Sequence, residues 1–178
     1  MKRGRRQFIQ AGIAGGALLA CVRWLDQAGN AWAAGNDGTA SRGALEPRSL
    51  EVIRALVPVV LAGALPAQPA EHAKAVEETV EAFNRAVAGL APAIQEEIAQ
   101  MLSLLSFAPT RMAMTGITSS WREAGGAEIT AFLEDWRHSR FELKRAGYRA
   151  LTQLIQGAWF DNPLAWRLIG YPGPPQIA

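Results

Sequence analysis

Val76, Val80, Phe83, Val87 and Leu90 recur at alternating steps of four and three residues. That spacing lays one apolar stripe along one face of an α-helix and turns Glu77, Glu78, Glu81 and Arg85 to the other side. The same period returns along most of the chain, so it constrains the fold more than any other feature. Leu50, Ile53, Val57, Val60 and Leu61 form a stripe behind Pro47, which a first helical turn tolerates, whereas Pro58 is expected to kink or end that segment. ALPAQPAE reads as a loop, and Gly89 with Pro92 marks the end of the next helix. Ile94, Ile98, Met101, Leu102 and Leu105 continue the pattern, and the short spacer before them predicts an antiparallel neighbour. PTRMAMTG is a shorter segment leading to a break at Gly125-Gly126. Ile129, Phe132, Leu133 and Trp136 open the C-terminal part, and Leu143, Gly147, Leu151, Leu154, Ile155 and Ala158 describe a longer helix after Ser139. No Asn-Gly turn and no alternating β-branched run signals a strand. The expected fold is all-α, an irregular helical bundle ending in the Pro/Gly-rich segment GYPGPPQIA, which is not expected to be helical.

The N-terminus departs from this pattern. A basic stretch (Lys2, Arg3, Arg5, Arg6) precedes an apolar run from Ala11 to Val22, and Ala31-Trp32-Ala33 supplies small residues, Ala31 and Ala33, for a cleavage point. The run rises only about 18 Å as a helix, short of the roughly 30 Å of a bilayer core, so it reads as a signal peptide rather than a span. Arg5-Arg6-x-Phe8 matches the heart of the twin-arginine export signal, while Gly4, Ile9 and Gln10 depart from its usual flanks. Leu18-Leu19-Ala20-Cys21 offers a rival reading in which Cys21 is lipidated. The organisation expected is therefore a leader over 1–33, a flexible polar linker over 34–46 and one helical domain over 47–178, with the product exported folded to the periplasm.

Removing the leader changes the charge. The whole chain carries 18 Lys and Arg against 16 Asp and Glu; residues 34–178 keep 13 against 15. The basic character belongs to the leader, and nothing remains that argues for a nucleic-acid partner. Cys21 is the single cysteine, so disulfides, haem attachment through Cys-x-x-Cys-His and cysteine-held iron–sulfur clusters are not expected beyond it.

Sites of chemistry are hard to find. Asp135 and His138 sit three apart on a helical stretch, half of a carboxylate–histidine metal motif without its other half. Ser119, Ser120 and Ser139 lack a nucleophile-elbow context, and no phosphate-binding glycine pattern occurs. No catalytic, cofactor-binding or metal-binding residue is assigned. Residues 132–174, in contrast, hold eight of the fourteen aromatics mixed with arginine and lysine. Aromatics with arginine are the composition of interface anchors, which makes Trp136, Arg137, Arg140, Phe141, Tyr148, Trp159, Phe160, Trp166 and Tyr171 the candidate partner-binding residues. Residues 168–178 are expected to lie along that partner, anchored by Trp166 and Tyr171, and to be mobile without it.

GRRQFIQAG at the front and SRFELKRAGYRALTQLIQGAWFDNPLAWRLIGYPGPP at the end together resemble the small subunits of periplasmic flavin-dependent sugar and alcohol dehydrogenases, the gluconate 2-dehydrogenase subunit 3-like group. Trp159-Phe160 stands where that group has a tryptophan–tyrosine pair. The resemblance implies a non-catalytic small subunit with no cofactor of its own. It also implies a large glucose-methanol-choline-type flavoprotein partner that holds FAD and lacks a signal, a multihaem c-type cytochrome as a further subunit, and passage through the twin-arginine translocase. In such a complex the chain is associated with the inner membrane through its partners. A self-contained periplasmic helical protein that binds a ligand or another partner is the competing expectation.

Overall fold

The computed structural model describes residues 45–172; Arg5, Arg6, Phe8, Cys21, Ala31 and Ala33, the residues read as an export signal and its processing points, and tail residues 173–178 lie outside them. The described chain contains seven helices and no strand: α1 Pro47–Val60, α2 Pro69–Ala88, α3 Pro92–Ser106, α4 Ala108–Thr115, α5 Gly126–Arg137, α6 Glu142–Phe160 and α7 Pro163–Leu168. The all-α expectation holds. Proline explains many of the boundaries: α1, α2, α3, α4 and α7 each carry one at the first or second position, where its missing N–H costs no helical hydrogen bond. Pro66 and Pro69 thus have different roles within ALPAQPAE, since the helix has begun by Pro69 and only the first part of that stretch is loop. Pro58 lies inside α1, which ends two residues later.

The centre of the bundle is α1, which packs against α2, α3, α5 and α6. A helix with neighbours on so many sides must be apolar over a wide arc, and Val52, Ile53, Leu56 and Val57 are all fully buried. The stripe read from the sequence contained Ile53 and Val57 but not Val52 and Leu56. The short link between α2 and α3 does not make them close partners: α3 packs mainly on α1 and touches α2 only slightly, while the main partner of α2 is α6. Gln95 closes the link by donating from Nε2 to the carbonyls of Ala88 and Leu90 at 2.9 and 2.7 Å. The packed domain also starts before Pro47. Leu45 is buried and its N–H bonds Asn84 Oδ1 at 3.0 Å, so the last residues assigned to the linker belong to the fold.

A second packing centre joins α4, α5 and α6. Trp136 is 1% exposed, lies edge-on to Phe132 with centroids 4.9 Å apart, and donates from Nε1 to the carbonyl of Met114 at 3.0 Å. Its ring rests on Gly147 of α6, where a Cβ would stand 2.5 Å from the nearest ring carbon. Only glycine permits that approach. Trp121 extends the cluster, edge-on to Phe132 at 6.1 Å, and ties its Nε1 to the carbonyl of Leu105 at 2.7 Å.

Arg54 of α1 and Glu77 of α2 form a two-pronged ion pair at 2.5 and 2.8 Å. The Arg54 guanidinium holds the Glu77 carboxyl below the usual carboxylate range. Both side chains are about half exposed, which limits the pair to below about 1 kcal/mol.

Two outcomes follow from this packing. Gly147→Ala is expected to destabilise the domain by about 2–3 kcal/mol in urea denaturation, the upper range for overpacking, because the added methyl meets a ring that has no room to retreat. The stability difference between wild type and Glu77→Gln is expected to be constant above about pH 5 and to shrink as pH falls below about 4.3. A carboxyl whose pKa is lower in the folded state stabilises only while the unfolded chain is ionised, and that contribution is lost as the folded group takes up its proton.

Candidate partner interface

The nine candidate interface residues do not form one surface. Trp136 and Trp159 are 1% and 2% exposed and belong to the core, which corrects their assignment as partner anchors. Both continue helical stripes: Trp136 follows Ile129, Phe132 and Leu133, and Trp159 lies four residues after Ile155. Tyr148 is half-buried against the same core. The others separate to the two ends of α6. Arg137, Arg140 and Phe141 lie at its N-terminal end and Phe160, Trp166 and Tyr171 at its C-terminal end, about 28 Å apart at the rise of an α-helix.

At the N-terminal end four of the five basic groups are paired within the chain, to three carboxylates. Arg137 pairs with Glu134 at 3.3 Å, Lys144 with Asp135 at 2.7 Å, and Arg145 and Arg149 both reach Glu142. Those two guanidiniums, Arg149 first, hold the Glu142 carboxyl below its usual range. His138 meets Glu134 through Nδ1 at 3.1 Å, and Asp135 is taken by Lys144, so the Asp135/His138 half-motif does not converge. Arg140 instead lies 4.8 Å over the exposed ring of Phe141, a cation–π contact at the surface.

The C-terminal end is apolar and built. Asn162 caps α7 by accepting the N–H of Leu164 at 2.8 Å, and its Nδ2 reaches Glu78 Oε2 of α2 at 2.8 Å, which fixes where α7 begins. The helix closes at Gly170, whose φ of 73° is the left-handed conformation that glycine adopts without strain. The Gly170 N–H then returns to the carbonyl of Arg167 at 3.3 Å and the Tyr171 N–H to that of Trp166 at 2.8 Å. This pair of bonds is a Schellman closure, and its accompanying side-chain contact is present as Trp166 edge-on to Tyr171 at 6.1 Å. Trp166 Nε1 donates to the carbonyl of Phe160 at 2.6 Å. The expectation of a mobile segment from residue 168 is therefore corrected for Ile169 to Tyr171, which fold back onto α7.

The closure leaves Phe160, Leu168, Ile169 and Tyr171 between 46% and 63% exposed. Leu168 and Ile169 were not among the sequence candidates. Their signal was available in the pattern, since only Ala165 of α7 is fully buried and a six-residue helix has few inward positions. Beside this cap an open cleft of about 240 Å³ is lined by Glu78, Glu81, Arg85, Asp161 and Asn162. Among the described residues no three or more histidine, cysteine or acidic side chains converge as a metal site, and no helix is long and apolar enough to cross a membrane. In comparison with known proteins, the chain matches no family model, no curated protein and no solved structure.

The division between core and cap can be measured. Trp159→Ala is expected to cost about 3–5 kcal/mol in urea denaturation, the loss typical of a buried tryptophan, whereas its neighbour Phe160→Ala should stay within about 0.5 kcal/mol of wild type. Equal losses would place Phe160 in the core.

Proposed function

We propose that this chain is the non-catalytic small subunit of a periplasmic dehydrogenase complex, escorting a signal-less flavoprotein of the glucose-methanol-choline type through the twin-arginine pathway and remaining against it afterwards. The observation that carries the reading is the cap of Phe160, Leu168, Ile169 and Tyr171. These large apolar side chains are held outward by a closed helix end rather than by a loose strand, so little ordering entropy opposes their docking. The Arg5-Arg6-x-Phe8 leader supplies the export half of the proposal. FAD belongs to the partner in this scheme, and a multihaem c-type cytochrome is a further subunit; the hydride chemistry is the flavin's and this chain supplies position.

The direct test replaces Arg5 and Arg6 together by lysine, because a receptor that reads two guanidiniums is not satisfied by two ammonium groups. Both this chain and flavin-dependent dehydrogenase activity are expected to disappear from the periplasm, with the flavoprotein stranded in the cytoplasm. If this chain alone disappears and the activity stays, the escort role fails and an independent periplasmic protein takes its place. The cap is tested separately. Leu168→Ser with Ile169→Ser should weaken co-purification with the flavoprotein by tenfold or more, about 1.4 kcal/mol, while leaving the urea midpoint of the isolated chain unchanged.

A further inference from the structure

Arg111 differs from every other arginine among the described residues. Arg54, Arg122, Arg137, Arg145 and Arg149 each meet a carboxylate, and Arg48, Arg85, Arg140 and Arg167 are exposed to water. Arg111 is only 7% exposed, and its side chain makes one hydrogen bond among the described residues, from Nε to the carbonyl of Ile117 at 3.4 Å. A guanidinium offers five donors in a fixed fork, so four are left without an acceptor among the described residues. Its two terminal nitrogens are not sealed from solvent. Two residues beyond the carbonyl that Arg111 meets, Ser119 Oγ is enclosed with no hydrogen-bond partner among the described residues. A methionine at 111 would fill similar space and leave no donor unsatisfied, and replacing buried charge by apolar volume is often neutral or stabilising.

The surroundings of Arg111 are held firmly. Thr110 Oγ1 has the carbonyls of Leu104 and Phe107 within reach of its single proton, and Thr115 Oγ1 donates to the carbonyl of Arg111 at 2.8 Å and accepts the N–H of Ile117 at 3.1 Å. The indoles of Trp121 and Trp136 fasten the carbonyls of Leu105 and Met114 on either side. On this fixed corner Phe107 and Met112 are 62% and 47% exposed. A recessed arginine without a carboxylate, on a short helix that also carries exposed apolar side chains at its start and beside it in sequence, has the composition of an interface hot spot.

We propose that α4 and the loop 116–120 form a docking surface for a protein segment that presents a carboxylate flanked by apolar side chains, the carboxylate bridging the two free nitrogens of Arg111 and the apolar groups covering Phe107 and Met112. Charge complementarity selects the carboxylate, and the fork geometry of the guanidinium matches its two oxygens. A free small acid would leave Phe107 and Met112 uncovered, which is why the ligand is a protein segment. This surface is carried by α4 and the residues that flank it, whereas the cap is carried by α6 and α7, and the inference does not depend on the export reading.

The test uses the full chain and two capped peptides, acetyl-Leu-Asp-Leu-amide and its Asn analogue, with sodium acetate as a third ligand, followed through the Arg111 Nε–Hε resonance. The Asp peptide is expected to shift that resonance saturably, with a dissociation constant at least about tenfold below those of the Asn peptide and of acetate. Phe107→Ser with Met112→Ser, both at the surface, should remove most of that preference. Arg111→Met should leave the urea midpoint unchanged or raised, as expected when a charge is kept for a ligand rather than for the fold. Equal binding of the Asp and Asn peptides, acetate as effective as the Asp peptide, or a lowered urea midpoint in Arg111→Met would each overturn the proposal.

Discussion

The arrangement of this bundle depends on one contact, the indole of Trp136 laid against the bare backbone of Gly147. Two helices that meet through ordinary side chains keep their axes about 8–10 Å apart; a glycine under a flat ring lets α6 approach α5 closely at one point. Trp136 also donates to the Met114 carbonyl and touches Phe132, so the same ring fastens the end of α4 to the α5–α6 pair. With α6 set by this contact, its other face reaches α2 and its C-terminal end carries α7 and the cap. A disturbance at Gly147 therefore acts on the cap about 20 Å away without touching it, the distance of thirteen helical residues.

The aromatic residues of the C-terminal part divide into two groups by position rather than by type. Trp136 and Trp159 lie on inward stripes and fill the core; Phe141 and Phe160 lie on the opposite faces and stay in water. Trp166 stands between, half-buried, with its nitrogen satisfied locally by Phe160 and its edge against Tyr171. That intermediate position gives the cap its rigidity. Tyr171 is held by a backbone closure and a ring contact, so the exposed apolar groups around it do not collapse onto the core.

Most of the fold was legible because helical spacing reports burial directly. The stripe of α2 and the inward residues of α6 follow from it, and so does the burial of Trp136 and Trp159, each of which continues a run of inward positions. Their assignment as partner anchors failed because aromatic and arginine content was weighed over that spacing. Composition cannot separate neighbours such as Trp159 and Phe160; a 100° turn of the helix does. Val52 and Leu56 were missed for the opposite reason, since a helix surrounded on several sides loses its single stripe. The charge pattern was the least legible part. Glu142 takes two arginines from the next two turns and Lys144 crosses to Asp135, and neither pairing shows in the count of basic residues.

These internal pairings shape how the molecule can be recognised. Around the N-terminal end of α6, Glu134, Asp135 and Glu142 face Arg137, Arg140, Lys144, Arg145 and Arg149, which leaves a local excess of two positive charges on a chain whose residues 34–178 carry slightly more acid than base. That excess lies at the surface, where its attraction for an acidic group is open to screening by salt. Beside it, two short-range features stay open among the described residues: the apolar cap at the end of α6 and α7, and the recessed guanidinium of Arg111 on the helix that carries Met112. Such features reward close fit over attraction at a distance. They suit a partner held in lasting contact, for which slow dissociation from well-packed apolar anchors matters more than a fast encounter.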